Sequence, residues 1–338
     1  MSKGGTYNPG PDDTNEIIRR IGALKRERDA LILAHNYQRP EVQGIADHIG
    51  DSLVLSRIAA ESRRTVIVLC GVRFMAETAA ILCPGKIVLL PVREAGCPLA
   101  EAATAGEVRR MRAKHPDAVV VAYVNTSAEV KAESDICCTS ANAVEVLLSV
   151  DPRRSVIFVS DRNLGHYAAR MAGRRVILWE GSCPTHAGIS VADVREAKEA
   201  HPEAKVMAHP ECNPEVLEEA DQVTGTEGML SYVRETSSAG FIVGTEIGLI
   251  HRLRKRSPGK VFYPANDHLV CPTMKLTTLQ DVEGSLDTME HVVSVEEPVR
   301  LKAWDALHAM LSVRCIPMDG GGSRAREESV PFLGILPG

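Results

Sequence analysis

One motif in this 338-residue chain is written three times, and any fold must accommodate all three copies. They run from His35 to Leu55 (HNYQRPEVQGIADHIGDSLVL), from Tyr123 to Val144 (YVNTSAEVKAESDICCTSANAV) and from His209 to Leu230 (HPECNPEVLEEADQVTGTEGML). They align without gaps. With His35, Tyr123 and His209 as position zero, Tyr37, Asn125 and Glu211 follow at position two. Glu41, Glu129 and Glu215 stand at six, each before a valine, and Asp47, Asp135 and Asp221 at twelve. A hydroxyl stands at seventeen: Ser52, Ser140, Thr226. The starts lie 88 (123 − 35) and 86 (209 − 123) residues apart. Five matched classes at one set of offsets mark a triplicated unit.

Each copy is preceded by a five-residue apolar run, the length of a strand buried on both faces: Ala30–Ala34, Ala118–Ala122 and Ala204–Ala208. A helical stretch and a short segment follow (His48-Ile49, Ile136-Cys137, Gln222-Val223), and then the matched hydroxyl, which opens an amphipathic helix. A third apolar run (Thr65–Cys70, Ser155–Ser160, Gly240–Thr245) precedes another helix and a fourth run (Ile87–Val92, Arg175–Glu180, Val261–Pro264). Strands alternating with helices imply parallel pairing through crossovers. The expected fold is α/β, with three similar three-layer α/β/α domains carrying parallel sheets in pseudo-threefold symmetry. Their expected bounds are 14–105, 106–191 and 192–276. A first helix is expected over Asp13–Arg28, capped by Asp13 or Thr14. Helices are expected over 277–313, with Leu279, Val282, Leu286, Met289, Leu301, Trp304, Leu307 and Leu311 as the apolar stripe. Residues 1–13 and 314–338 read as tails without fixed structure.

Composition narrows the functional classes. A formal charge of −5 argues against a nucleic-acid surface, which needs a basic face. No apolar run approaches the roughly 20 residues of a membrane helix, and the N-terminus has no secretory h-region. Nine cysteines, an odd number with no Cys-x-x-Cys pair, argue against a disulfide framework and for a reducing cytoplasm.

Three of those cysteines obey the repeat. Cys97, Cys183 and Cys271 each precede a proline just past the fourth strand, 62, 60 and 62 residues after position zero. The carboxyl edge of an open parallel sheet is where ligands bind. Three thiolates converging there form a soft ligand set suited to an iron–sulfur cluster, zinc or copper(I). A 4Fe-4S cluster with only three cysteines leaves one iron open to substrate. The other six cysteines read as core thiols, with Cys212 lining the site beside Glu211.

The polar residues belong to the same edge. His35, Tyr37, Tyr123, Asn125, His209 and Glu211 end strands, and Ser52, Ser140 and Thr226 start helices, whose free N–H groups attract carboxylate or phosphate. Three such helix starts suit a substrate with several anionic groups, and His, Tyr and Glu211 are acid/base candidates. The glutamates at six and aspartates at twelve read as solvated helix faces and turns. His186 in CPTHA and Lys275 in CPTMK lie close enough to reach the cluster's surroundings.

The segments AHNYQ, GDSLVLS, YVNTSAEVKAESDICCTSANAV, CPTHA, HPECNPEV, GTEIGLIHRL and CPTMK resemble bacterial-type quinolinate synthases over about residues 14–312. That resemblance implies three α/β domains around a pseudo-threefold axis and a 4Fe-4S cluster on Cys97, Cys183 and Cys271. It implies condensation of iminoaspartate (iminosuccinate) with dihydroxyacetone phosphate to quinolinate, phosphate and water, in de novo NAD biosynthesis. An aspartate-oxidising enzyme would supply the iminoaspartate. Substrate positions carried over are His35, Ser52, Tyr123, Asn125, Ser140, His209, Glu211 and Thr226, with the flanking Val124 and Pro210. Tyr37, Glu211 and His209 are the implied catalytic residues. The chain departs from the family at Thr224-Gly225-Thr226, where Gly-Ser-Thr is usual, and in the tail after Arg314.

Three other functions fit the residues alone: a hydro-lyase with the same open cluster acting on a hydroxy-dicarboxylate, an electron-transfer or iron-sensing module, and a zinc site of three cysteines and His186. Phosphate release, a fourth cysteine ligand and visible colour respectively separate them.

Overall fold

The computed structural model describes residues 11–313; the expected tails over 1–10 and 314–338 lie outside the described residues. Residues 11–13 are not tail, because the first helix spans Pro11–Glu27. Asp13 and Thr14 therefore sit within its first turn and not at its cap.

Twelve strands among the described residues form three sheets. The first contains β1 (Ala30–His35), β2 (His48–Gly50), β3 (Val66–Cys70) and β4 (Ile87–Leu89). The second contains β5 (Val119–Tyr123), β6 (Ile136–Cys138), β7 (Val156–Val159) and β8 (Val176–Leu178). The third contains β9 (Lys205–Ala208), β10 (Gln222–Val223), β11 (Gly240–Gly244) and β12 (Val261–Pro264). Strand order is β2-β1-β3-β4, β6-β5-β7-β8 and β10-β9-β11-β12. All nine pairings are parallel. In each sheet the strand that leads into position zero is an inner strand.

The alternation of side chains along each strand divides the core. One face of each sheet builds a separate outer core: Ile32, Ala34 and Val68 under Ile17, Ile21, Val282 and Leu286; Val120, Ile157 and Val159 under Val108; Val206, Ala208 and Ile242 under Ile189 and Val194. The opposite faces join a single cluster containing Leu31, Leu33 and Leu69, Val121 and Phe158, and Met207, Phe241 and Val243. Three outer cores and one shared core are what three equal units closed on one another require. Apolar burial of this extent is the dominant favourable contribution to folding.

Two further helices span Leu279–Thr288 and Glu297–Ser312, the second with Pro298 in its first turn. The expected stripe holds for the first. In the second, Leu307 is buried as expected, but Leu301 and Trp304 are exposed, and Ala303, Ala306 and Met310 are buried instead. Small alanines let this helix lie close against Arg73–Leu82, Ala128–Ala132 and β6, bridging units one and two.

The aspartates at position twelve do more than cover a turn. Asp47, Asp135 and Asp221 accept the backbone N–H of Ile32, Val120 and Val206 at 2.8, 2.7 and 2.8 Å. Each gives its own N–H back to the same residue's carbonyl. Lys25, Arg112 and Lys205 pair with them at 2.6, 3.0 and 2.8 Å. The device fixes where the second strand of each sheet departs from the first. The glutamates at six are exposed, as expected. Asp221→Ala is expected to lower unfolding free energy by about 1–3 kcal/mol, the cost of orphaning a charge-assisted bond to a strand N–H. Urea denaturation checks this, and a change within error would contradict it.

Candidate active site

The carboxyl ends of the three sheets meet at one cavity that is partly open to solvent. A concave site with convergent polar groups suits a small-molecule ligand. Each unit contributes the same three features. From strand ends come His35 and Tyr37, Tyr123 and Asn125, and His209 and Glu211. From position seventeen come Ser52, Ser140 and Thr226, and from the loops after the fourth strands Cys97, Cys183 and Cys271. Val124 and Pro210 are not on the wall; Val124 is turned into the shared core. Cys212 is not on it either, and its Sγ–H faces the Gly244 carbonyl within the third outer core. Ser140 starts no helix. Asn142 Oδ1 accepts from Thr139 N and Oγ1, closing a turn that delays the helix to Ala143.

The two position-zero histidines share one tautomer. His35 Nδ1 accepts the Tyr37 N–H at 3.2 Å, and His209 Nδ1 the Glu211 N–H at 3.4 Å. Each ring therefore carries its proton on Nε2, and His209 donates it to Ser140 Oγ at 3.2 Å. A neutral Nδ1 acceptor makes the 3.9 Å approach of His209 to Glu211 Oε2 a contact and not an ion pair. Burial pushes both imidazoles down to about 3, aided by Lys275 and Arg252 for His35 and by His186 for His209.

A hydrogen-bonded chain crosses the cavity. Tyr37 Oη lies 2.7 Å from Thr245 Oγ1, which lies 2.8 Å from His186 Nε2. His186 Nδ1 is 2.6 Å from Glu211 Oε2, and Glu211 Oε1 accepts from the Tyr123 hydroxyl. Burial pushes the Glu211 carboxyl up. His186, by charge and hydrogen bond, and the Tyr123 hydroxyl outweigh it and hold the carboxyl below its ordinary value. Burial and the Glu211 charge raise both Tyr37 and Tyr123 well above the usual phenol, so both are neutral at pH 7. Thr245 was missed in the sequence because only its nearness to Tyr37 and His186 gives it meaning.

Two cysteine loops are pinned by buried carboxylates. Asp161 Oδ2 accepts the Cys183 N–H at 3.0 Å, and Glu246 Oε1 the Cys271 N–H at 3.3 Å. Both acids directly follow the third apolar run of their unit, a position that can be read in the sequence. Lys275 pairs with Glu246 at 2.8 Å and donates to the Tyr37 carbonyl, tying the third cysteine loop to the first unit. His186 Nδ1 lies 3.2 Å from Cys183 Sγ. Cys183, His186 and Glu211 offer ligand atoms within 4.8 Å of one another and could hold a metal ion. None of the eight described cysteines is in a disulfide.

The two histidines impose a pH dependence on stability. An unfolded imidazole titrates near 6.5, so the unfolded chain takes up protons that the folded rings refuse. Their contribution is intact above about pH 6.5 and is lost as pH falls toward about 3. Asp51, raised to about 6 by burial, acts oppositely, since its folded carboxyl takes up a proton before the unfolded one does. His35→Gln keeps an acceptor for the Tyr37 N–H and removes one titration. It is expected to lose less stability than the parent between pH 6.5 and 4 in urea unfolding; equal losses would contradict the assignment.

The family model for quinolinate synthetase A protein matches residues 19–312. The quinolinate synthase of Desulforudis audaxviator is 51% identical over 302 residues, covering 89% of this chain and 100% of the relative. That of Methanosarcina barkeri is 52% identical over 299 residues, covering 88% and 98%. That of Methanoregula boonei is 53% identical over 302 residues, covering 89% and 100%. At this identity and coverage, with a cavity built from matched residues of three units, the chain belongs to the quinolinate synthetase A family.

Proposed function

We propose that this protein is a quinolinate synthase, joining iminoaspartate to dihydroxyacetone phosphate and releasing phosphate and water, in de novo NAD biosynthesis. The observation that carries the reading is the meeting of one strand end, one hydroxyl and one cysteine from each unit in a single cavity. The substrates are small anions. Two carboxylates and a phosphate match the hydroxyls of Ser52, Ser140 and Thr226 and the backbone N–H groups beside Ser52 and Thr226.

Cys97, Cys183 and Cys271 are the residues that would hold a 4Fe-4S cluster. Their chemistry fits it: the loops come from three units, and burial pushes the Cys97 thiol up to about 12 and the Cys183 thiol well above its ordinary value. Such thiols ionise only when a metal takes the place of the proton. When bound, the cluster supplies a Lewis-acidic iron able to take a carboxylate, hydroxyl or imine nitrogen and to assist loss of water.

The chain's own residues move protons. Neutral Tyr37 donates to oxygen of the phosphate-bearing substrate and is resupplied through Thr245 and His186. Ionised Glu211, fixed by Tyr123 and His186, removes a proton from carbon as the enediol forms. His209 presents a neutral N–H at the same wall. Iminoaspartate comes from an enzyme that oxidises aspartate. No helix among the described residues is long and apolar enough to cross a membrane, and a cytosolic location accords with the free thiols.

Anaerobically purified protein should be brown, hold four irons and four sulfides, and release one phosphate per quinolinate. A colourless protein with one zinc would favour the Cys183–His186–Glu211 group as a mononuclear site. Turnover of a hydroxy-dicarboxylate without phosphate release would favour a hydro-lyase. Cys97→Ala, Cys183→Ala and Cys271→Ala should each lose cluster iron. Tyr37→Phe should keep the cluster and lose about 10²–10⁴ in kcat; unchanged turnover would overturn its role.

A further inference from the structure

Behind the cavity wall, between the first and third units, three buried side chains meet. Asn36 is fully buried, Arg252 is 8% exposed and Thr226 3%. Asn36 Nδ2 donates to Thr226 Oγ1 at 2.7 Å and to Glu227 Oε1 at 3.1 Å. Arg252 donates to Asn36 Oδ1 at 2.5 Å and also pairs with Glu227.

The chemistry of the neighbours fixes the amide's orientation. A guanidinium only donates, so the atom facing Arg252 must be the amide oxygen. An ionised carboxylate only accepts, so the atom facing Glu227 must be the amide nitrogen. That nitrogen has two protons, and the second falls on Thr226 Oγ1. The threonine oxygen therefore accepts from Asn36, and its own proton has to be given elsewhere. Among the described residues Thr226 makes no other side-chain hydrogen bond. Thr226 lines the cavity. A backbone bond from Asn36 N to Gly50 O and a side-chain bond from Gln43 Nε2 to Asn36 O keep the asparagine in place.

We propose that Asn36, locked by Arg252, is a positioning residue that sets the polarity of Thr226, so that its hydroxyl donates to an anionic oxygen of substrate. Gly225 gives this donor added weight. Gly225 brings no hydroxyl to the helix start and no side-chain cap, and an added Cβ would stand 3.1 Å from Ser140 Oγ. Thr226 is thus the hydroxyl this helix start presents. The anion is a phosphate or a carboxylate, two sources that the test tells apart. The inference rests on the proposal that small anionic substrates occupy this cavity.

Asn36→Asp keeps the shape and turns the donor into an acceptor, so the Thr226 proton is drawn back into the wall. Binding of inorganic phosphate and of succinate by the cluster-loaded enzyme, measured calorimetrically, needs no turnover and so stands apart from the assigned reaction. One of the two should bind at least tenfold more weakly to Asn36→Asp, and KM for the matching substrate should rise as much, with kcat changed less than threefold. An added negative charge would by itself repel anions. For that reason the same change is made in a Thr226→Val background, where no hydroxyl remains to be turned. There it should add less than twofold. Arg252→Met, which frees the amide to turn over, should weaken the same anion by a smaller factor in a chain that keeps Asn36. Thr226→Ser should bind as the parent does. Equal losses from Asn36→Asp with and without the hydroxyl, or unchanged binding of both anions, would overturn the proposal.

Discussion

The active site depends on the shared apolar core in which the inner faces of the three sheets meet. Leu33, Val121 and Val243 come from inner strands of different units and lie in one cluster. Burying those faces together leaves each sheet one orientation, with its carboxyl edge toward the cavity. Strand ends, hydroxyls and cysteines are thus placed by packing that takes no part in the chemistry. The two-residue alternation along a strand turns Leu33 one way and Ala34 the other, which is how one run of sequence serves both the shared and the outer core.

Desolvation governs the chemistry inside. It keeps His35 and His209 neutral and the phenols of Tyr37 and Tyr123 protonated, while Glu211 alone is driven into its charged form by the donors around it. A proton donor and an ionised base thereby coexist at the two ends of the path Tyr37–Thr245–His186–Glu211. Opposite pulls on two titratable groups in one site divide acid from base. A buried charge also sits behind the wall: Lys131, fully enclosed, donates to the Thr126 carbonyl and lies 5.6 Å from the Phe74 ring that lines the cavity. Its burial lowers its affinity for a proton.

The sequence made legible whatever the repeat wrote three times. The strands, the parallel pairing and the convergence of Cys97, Cys183 and Cys271 all follow from matched offsets. Residues that work only in one unit escaped. Thr245 is matched by Ser160 in the second unit, but Ser160 donates to the Asn125 carbonyl, and only Thr245 bridges Tyr37 and His186; Asp161 and Glu246 have no acidic counterpart in the first unit, where Val72 stands. Periodicity also misjudged the last helix, because alanines carried the buried face while Leu301 and Trp304 turned outward. At Ser140 the repeat itself misled: an asparagine three residues from Thr139 formed a local turn that competes with helix initiation. The aspartates at twelve read as solvated turn residues, and they are exposed, but one carboxylate oxygen of each is committed to a strand N–H.

Because the cavity takes its walls from all three units, its parts emerge from the ribosome far apart in time. His35 is made early, and Cys271, Thr273 and Met274 only after four-fifths of the chain. No nascent fragment shorter than that can present the complete set of thiols. A chain cut short of Cys271 would carry the strand ends and hydroxyls of the earlier units with an incomplete set of thiols, so the sulfur chemistry of the cavity waits on the unit made last.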